Sequence, residues 1–510
     1  MRQTDIVREL APMMRSEAES PLSPILMSVL HDFRQKTISY CYWKSSRNIH
    51  AVLAGRSDLD LLVARKDQHR CQTILMQRGL KLFPTVPYRD HPALLNFLGY
   101  DELTGQLVHV HLHFRLITGE RLLKNYCLPW EDAILARAIP HPTLPIRILD
   151  PTTEAVLLIV RSCFELRRRD PVTFRHWQTT TRKFARDRRA LATQIDSSSV
   201  HDLAAALLNR QVANEIVDAI HDDKPLEAQR SLRRHVKACL APYRTYNMAE
   251  ERMRATWRAV HWIAGGLNKR LLHLPRPWSR RAPGGGAVVA IVGLDGSGKS
   301  TVVAAIMEWF GSEIDAVPMY FGTGDGRPSL LLYPFKKIVP LITRVLRTRP
   351  KGSSHGSISG HSPGFLYSML LTIWSAVVAL EKRSKLLASR RGADRGLIVL
   401  TDRYPQNELL SFNDGPLLVR LAHVPRWLRR FEASAYALAR RLPPDLVIKL
   451  QVTARTAEAR EPTMDPSVIR ERIESMCGLN FNAKRVVTVN AEAPLAEVIR
   501  RTKSEIWDIL

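Results

Sequence analysis

Residues 287–301 read Ala-Val-Val-Ala-Ile-Val-Gly-Leu-Asp-Gly-Ser-Gly-Lys-Ser-Thr. A short apolar run of strand type leads into three glycines, and the Lys-Ser pair that follows opens a segment with helical patterning. Glycines let backbone N–H groups converge on phosphate oxygens, and the helix N-terminus adds its partial positive charge at the same place. The stretch therefore predicts a P-loop between a strand and a helix.

The members of this loop have predicted roles in binding a nucleotide. Lys299 can reach the β- and γ-phosphates, and the Ser300 hydroxyl can ligate Mg²⁺. The other nucleotide-binding candidates are Gly293, Asp295, Gly296, Ser297, Gly298 and Thr301. The predicted cofactors are ATP and Mg²⁺. A glycine-rich turn that merely joins a strand to a helix is the alternative, and the spacing of the glycines and the Lys-Ser pair argue against it.

Composition indicates a globular chain of two or three domains. Its 510 residues are 45% hydrophobic and 24% charged, values that a disordered chain does not show. The net charge of +26 would attract nucleotides, nucleic acid, acidic polysaccharide or anionic lipid headgroups. Arginine spread over solvated faces explains the charge equally well, so charge alone does not choose a partner.

Cysteine spacing and the N-terminus both favour a cytoplasmic protein. The six cysteines lie far apart without a Cys-x-x-Cys pair, and the first residues lack the apolar core of a signal peptide. The uncharged segment 365–380 is shorter than the roughly 20 residues that span a bilayer, so a buried helix is predicted there. Together with the apolar and basic segment 330–342, it leaves a membrane-surface role as an alternative.

Two breaks rich in proline and glycine, at 139–151 and 274–286, divide the chain. The predicted parts are a first domain over 1–140, a basic helical region over 150–272, a linker over 273–286 and a last domain over 287–510. Residues 151–285 hold about 25 Lys and Arg against about 13 Asp and Glu. The run 164–177 mixes basic and aromatic residues, which suits either a nucleic-acid strand or a solvated helix face.

The last domain alternates strand and helix as a parallel α/β sheet requires. Strands are predicted over 288–292, 317–321, 397–401, 446–452 and 485–489. Ligands of such sheets bind at the carboxyl ends of the strands, where both the P-loop and Asp402-Arg403-Tyr404 would lie. Asp402 is therefore a candidate for the magnesium shell, and Arg403 for a bidentate clamp on an acceptor phosphate.

This domain resembles the thymidylate kinases in three motifs that occur in the expected order and cover under half the chain. The motifs are the P-loop, the strand that ends in Asp402-Arg403-Tyr404, and the segment 444–460, a Pro-Asp-Leu strand followed by a helix that ends in Arg460. The resemblance implies a phosphotransferase with dTMP as acceptor and a dimeric state. It also implies a carboxylate near the acceptor, Asp295, and an arginine finger, Arg460, beside a lid over 461–466.

The chain departs from that family near the expected acceptor. Residues 320–328 read Tyr-Phe-Gly-Thr-Gly-Asp-Gly-Arg-Pro where the family has an Arg-Glu-Pro-Gly element, and the segment 328–365 resembles an insertion. The nucleotide donor site is therefore better supported than dTMP as acceptor.

The first domain resembles the nucleotidyltransferase superfamily. Trp43-Lys-Ser-Ser46 followed by Ser57-Asp-Leu-Asp60 is similar to its Gly-Ser element and Asp-x-Asp pair, although Lys44 replaces the glycine. Asp58 and Asp60 would lie on one strand face, a geometry that suits a shared divalent metal. A third acidic residue is missing, and at the corresponding place His109, His111 and His113 alternate. They suit either imidazole ligation of the metal or a solvated strand face.

Together these patterns predict an α/β protein. It has a C-terminal P-loop kinase-like parallel sheet with flanking helices, a helical middle region and an N-terminal α+β nucleotidyltransferase-like domain. The leading hypothesis is an ATP- and Mg²⁺-dependent phosphotransferase that converts dTMP to dTDP. The alternatives are a kinase acting on a sugar or lipid-linked acceptor in cell-surface polysaccharide synthesis, and an ATP-dependent regulator that binds nucleic acid.

Overall fold

A computed structural model describes residues 21–91, 93–120, 123–166, 174–272, 274–322, 365–406, 424–460 and 465–510, with 408, 416 and 418. Several predicted features lie outside these residues: the insertion over 328–364 with its apolar segment 330–342, positions 461–464 of the lid, and positions 167–173 of the basic and aromatic run. The described residues form two compact units. The first comprises 21–83 and 87–260, and the second 84–86 and 261–510.

The first unit contains a mixed seven-stranded sheet and a separate two-stranded sheet, whose strands lie between β5 and β8 in the sequence. The larger sheet has the strand order β3-β4-β5-β2-β1-β9-β8, and the smaller one pairs β6 with β7. The strands are β1 (Tyr40–Tyr42), β2 (Leu59–Val63), β3 (Lys81–Leu82), β4 (Leu94–Asp101), β5 (Gln106–His113), β6 (Leu116–Thr118), β7 (Tyr126–Leu128), β8 (Ala138–Pro140) and β9 (Arg147–Leu149).

Within the described residues, the helices of the first unit pack in two hydrophobic cores. One core includes α1 (Pro24–Gln35), α2 (Ile49–Leu53) and α3 (Gln68–Gln77). The other includes α5 (Pro151–Glu165), α6 (Phe174–Ala192), α7 (Ser197–Leu207), α8 (Arg210–His221) and α9 (Arg230–Cys239). The shorter α4 (Glu131–Ala136) precedes these helices, and α10 (Met248–Leu267) follows them, with its residues from His261 onward assigned to the second unit.

The two cores lie on opposite faces of the large sheet. In β2, Leu61 and Val63 belong to the core of α1 to α3, and Leu62 between them belongs to the core of α5 to α9. Successive side chains of a strand point to opposite faces. Asp60 therefore shares the face of Leu62, toward the helices α5 to α9.

The second unit contains a five-stranded sheet in which every strand is parallel to its neighbours. Its order is β11-β12-β10-β13-β14. The strands are β10 (Ala287–Gly293), β11 (Ala316–Tyr320), β12 (Ile398–Asp402), β13 (Leu446–Gln451) and β14 (Arg485–Asn490). Each bound lies within one residue of its prediction, and the predicted α/β class with a parallel sheet is confirmed.

Among the described residues of the second unit, six helices connect or follow these strands. They are α11 (Lys299–Phe310), α12 (Phe365–Asp394), α13 (Arg426–Arg441), α14 (Ala454–Arg460), α15 (Pro466–Gly478) and α16 (Leu495–Ile509). The segment 365–380, predicted as a helix, forms the first half of α12. No helix within the described residues combines the length and the apolarity that crossing a bilayer requires.

Candidate phosphate-binding and metal-ligating sites

The glycine-rich turn lies between the end of β10 and the start of α11, and its backbone requires glycine at several positions. Gly296 and Gly298 have φ angles of 77° and 89°, in the left-handed region that glycine adopts without strain. A Cβ atom on Gly293 would lie 2.5 Å from Ser297 Oγ and 2.9 Å from the carbonyl oxygen of Leu450. The loop backbone is therefore packed too closely against β13 for a side chain at Gly293.

Lys299 lies buried inside this loop. Its Nζ donates hydrogen bonds to the carbonyl oxygens of Leu294, at 2.6 Å, and Gly293, at 3.1 Å. It also lies 3.6 Å from Asp295 Oδ1. Burial lowers the pKa of Lys299 below its usual value, although Asp295 opposes that shift. An anion bound beside Nζ would offset this cost of burying the cation.

Ser300 and Asp402 meet at the carboxyl ends of β10 and β12. Ser300 Oγ donates to Asp402 Oδ2 at 3.1 Å, and Asp402 pairs in register with Ile291 of β10. The other carboxylate oxygen, Oδ1, is buried and has no hydrogen-bond partner among the described residues. Burial raises the pKa of Asp402. A hydroxyl and a carboxylate oxygen at one point are the donors that a hard cation such as Mg²⁺ prefers.

Arg403 holds an uncommon backbone conformation next to this pair. Its φ of 67° lies in the left-handed region, and such residues cluster at functional sites. Its Nη2 donates to Asp295 Oδ1 at 2.6 Å. The two residues predicted to lie near the acceptor therefore contact each other across the loop.

Arg460, Ser297 and Thr301 complete the predicted set. Arg460, the last residue of α14, donates from Nη1 to the carbonyl oxygen of Gly296 at 2.9 Å. Ser297 Oγ is buried and has no hydrogen-bond partner among the described residues, while Thr301 is exposed on the first turn of α11. All the residues predicted to bind or transfer a phosphate thus lie in or next to one loop.

The acidic pair of the first unit faces the three alternating histidines. Strands β2 and β5 are parallel neighbours, and Asp60 pairs in register with His111. Asp60 Oδ1 lies 3.1 Å from His111 Nδ1 and 3.4 Å from His113 Nε2. Asp58, just before β2, lies 3.1 Å from His109 Nδ1. The structure therefore brings together residues that are about fifty positions apart in the chain.

The protonation states in this cluster follow from burial and pairing. Burial opposes ionisation of Asp60, but the Lys44 cation and hydrogen bonds from His111 and His113 hold its pKa well below the usual range. Burial lowers the pKa of His111 to about 4 and that of His113 to about 3. The Asp58 side chain is 47% exposed; partial burial opposes its ionisation, but the hydrogen bond with His109 lowers its pKa. At neutral pH the cluster therefore contains carboxylates and neutral imidazoles on His111 and His113.

Two lysines beside the cluster were not predicted as site residues. Lys44 Nζ lies 3.3 Å from Asp60 Oδ2. Lys44 occupies the motif position at which the resembled superfamily has glycine, and this departure was the signal that could have identified it. Lys124 is partly buried, and desolvation together with the Lys44 cation lowers its pKa to about 8. No sequence pattern marks Lys124, because its burial depends on the tertiary packing.

Four arginines of the first unit line an open cavity of about 500 Å³. Arg182, Arg186 and Arg189 lie on one side of α6, at spacings of four and three residues. Arg47 lines the cavity from the turn before α2, and Arg186 Nη2 donates to Asn48 Oδ1 at 3.4 Å. Three of the basic residues of the region 150–272 thus lie together on one helix face.

No protein-family model matches the chain. It is similar to two proteins of Escherichia coli (strain K12). It is 29% identical to the uncharacterized ATP-binding protein YghS over 217 residues, which are 42% of this chain and 89% of that protein. It is 27% identical to the uncharacterized ATP-binding protein YghR over 229 residues, 43% of this chain and 86% of that protein. Less than half of this chain thus aligns with nearly the full length of each relative.

Proposed function

We propose that the second unit binds ATP with Mg²⁺ and transfers its terminal phosphoryl group to an acceptor. The observation that carries this proposal is the convergence of Lys299, Ser300 and Asp402 at the carboxyl ends of β10 and β12. Relatives named as ATP-binding proteins support a nucleotide-binding unit. Phosphoryl transfer depends mainly on positioning and charge stabilisation, and this site offers both.

The residues present fit a magnesium ion. Asp402 Oδ1 is a buried carboxylate oxygen without a partner among the described residues, and the Ser300 hydroxyl lies next to the same carboxylate. These two residues would hold the ion, which when bound neutralises charge on the phosphate oxygens. Lys299 would bind the β- and γ-phosphates, and the backbone of the loop would orient them.

Two arginines are proposed to complete the charge stabilisation. Arg460 contacts the loop carbonyl of Gly296, so its guanidinium is within reach of a phosphate that the loop binds. Arg403 is held by Asp295 and would contact the acceptor phosphate if that pair opened. The acceptor we favour is dTMP, following the resemblance to thymidylate kinases, and a sugar or lipid-linked acceptor is the alternative.

ADP release from the full chain tests this function. The protein is incubated with Mg-ATP and one acceptor at a time: nucleoside monophosphates including dTMP, sugars, and lipid-linked intermediates. We expect ADP release with one class of acceptor and its loss in Lys299→Ala. Lys484→Ala is the matched control. Lys484 is exposed and pairs with Asp445, which lies at the amino end of β13, whereas the P-loop lies at the carboxyl ends of the strands. ADP release no greater than in Lys299→Ala with every acceptor would contradict the proposal.

One observation favours a second function, the binding of nucleic acid by the first unit. The arginine-lined cavity beside α6 is a surface that a phosphate backbone could neutralise. Binding of labelled single-stranded DNA and RNA is measured by fluorescence anisotropy at increasing salt. We expect a steep salt dependence that becomes shallower in Arg182→Ala with Arg186→Ala. Absent or salt-insensitive binding would eliminate this function.

A further inference from the structure

Five side chains that can ligate a metal lie together on one face of the large sheet in the first unit. They form two overlapping sets, Asp58 with His109 and His111, and Asp60 with His111 and His113. Within each set one possible ligand atom per residue lies within 4.8 Å of the others. His111 belongs to both sets, so the five residues form one continuous cluster.

Packing does not require polar groups at these positions. On β5 the intervening residues Val108, Val110 and Leu112 are fully buried in the core of α1 to α3. The opposite face of the same strand carries His111 and His113, with side chains only 15% and 1% exposed. Buried polar groups cost free energy unless partners satisfy them. The hydrogen bonds with Asp60 satisfy one nitrogen of each ring, whereas His113 Nδ1 is buried without a hydrogen-bond partner among the described residues, so packing alone does not account for the imidazoles.

The spacing of the buried set suits one metal ion. Asp60 Oδ1 lies 3.1 Å from His111 Nδ1 and 3.4 Å from His113 Nε2. Ligands about 2.0–2.2 Å from a tetrahedral ion are roughly 3.3–3.6 Å apart. The separations of Asp60 Oδ1 from the two histidine nitrogens are close to this value, and the ligand atoms of His111 and His113 lie within 4.8 Å of each other.

We propose that Asp60, His111 and His113 bind one first-row transition-metal ion of the zinc class. Two imidazoles and one carboxylate are typical ligands of such ions, whereas Mg²⁺ prefers oxygen ligands alone. The proposal is independent of the phosphotransferase function, since the ligands all belong to the first unit. It leaves at least one coordination position for water or a substrate.

Neighbouring residues hold two of the ligands in place. Lys44 Nζ lies 3.3 Å from Asp60 Oδ2, so the lysine takes one carboxylate oxygen and Oδ1 faces the imidazoles. The Trp43 ring packs edge-on against the His113 ring with the centroids 5.0 Å apart. Such outer contacts orient metal ligands and raise metal affinity. Lys44 in place of glycine thus has a positioning role at this site.

Cobalt binding to the full chain tests the proposal. Chelator-treated protein is titrated with Co²⁺, and its visible absorption reports ligand number and geometry. We expect one Co²⁺ per chain, retained in excess Mg²⁺ and displaced by Zn²⁺. Asp60→Asn and His113→Gln should each weaken binding by more than the roughly 10- to 100-fold that a lost outer contact costs. His69→Ala, an exposed histidine of the same unit, is the matched control and should bind Co²⁺ as the unaltered chain does.

His109→Gln separates the two overlapping sets. It should lower the cobalt affinity less than tenfold, because His109 is outside the proposed triad; a loss equal to that in His113→Gln would overturn the assignment. Buried variants can misfold, so far-ultraviolet circular dichroism accompanies each one. The unaltered chain provides a test that needs no substitution. In its NMR spectrum, two imidazole N–H signals should show paramagnetic shifts when Co²⁺ binds. Absence of stoichiometric binding, or displacement by Mg²⁺, would overturn the proposal.

Discussion

The two candidate sites are built in different ways. In the second unit the site lies beyond the carboxyl ends of parallel strands, and its main component is the backbone of one short loop. In the first unit the site lies on the face of a mixed sheet, and side chains of β2 and β5 form it. The first kind depends on glycines and close backbone packing, and the second on strand register. Substitutions should therefore affect the two sites in distinct ways.

The largest effect expected is on phosphoryl transfer in Lys299→Ala. The substitution removes the cation from the loop, and losing one preorganised charge contact costs about 10²- to 10³-fold in turnover. Steady-state ADP release with the best acceptor measures it. Cobalt binding by the first unit should not change, and a parallel loss of both activities would show that the two sites are not separate.

Gly293→Ala tests how closely the loop backbone is packed. The added methyl group would meet Ser297 Oγ and the Leu450 carbonyl, so we expect a loss of about 1–3 kcal/mol in the stability of the second unit and weaker ATP binding. Calorimetric unfolding and ATP titration measure the two effects. Gly478→Ala is the control, because a Cβ there meets nothing within 4 Å. Equal behaviour of the two variants would contradict the packing argument.

The stability of the first unit should depend on pH through one buried carboxyl group. Burial raises the pKa of Glu154 to about 7 from its usual 4.5, so the folded chain holds this proton more tightly than the unfolded chain. Its contribution to stability is full below the unfolded pKa and is lost as the pH rises through about 7. Between about pH 5 and about pH 8 the loss should be roughly 2 kcal/mol.

Glu154→Gln should remove this loss while keeping the oxygen that accepts from the Ser46 backbone N–H at 3.1 Å. Melting temperatures of both chains across the pH range measure the difference, with Glu227→Gln as control. A pH profile of Glu154→Gln that matches the unaltered chain would rule out the buried neutral carboxyl group.

The smallest effect expected lies away from both sites. Asn209 caps α8, and its side chain accepts from the Val212 N–H at 2.8 Å. Asn209→Ala should lower the stability of the first unit by about 1 kcal/mol, as measured by urea unfolding, and Asn209→Ser should recover most of it. ADP release and cobalt binding should stay constant. A change in either would mean that the sites respond to general loosening rather than to local contacts.

The contrast between the sites also explains what the sequence could predict. The P-loop is contiguous, and the strands that surround it have strong apolar patterns, so their bounds were predicted to within one residue. The Ser300 and Asp402 pair followed from the rule that carboxyl ends of parallel strands meet at one edge. The hydrogen bond of Arg403 with Asp295 was not predicted, because each residue was assigned a contact with the acceptor rather than with the other.

For the first unit, alternation alone placed His109, His111 and His113 on one face. The pairing of β5 with β2 was not predictable, because strands about fifty residues apart can pair in many registers, and tertiary packing selects one. The burial of Lys124 and the raised pKa of Glu154 depend on the same packing. The local sequence pattern thus indicated the candidate metal ligands, whereas the pairing of β2 with β5 in the structure showed that the aspartates and histidines face each other.

The hydrogen bonds of Lys299 with its own loop bear on which anions the proposed site would bind. Nζ carries three N–H groups, and two of them donate to the carbonyl oxygens of Gly293 and Leu294. A phosphate bound as proposed would share Nζ with these oxygens or replace them, so its affinity would be the difference between two sets of contacts. A small anion such as free phosphate or sulfate would gain little from that exchange, whereas a polyphosphate that spans the loop would gain many contacts at once. The position of Lys299 would therefore favour a nucleotide over a small anion.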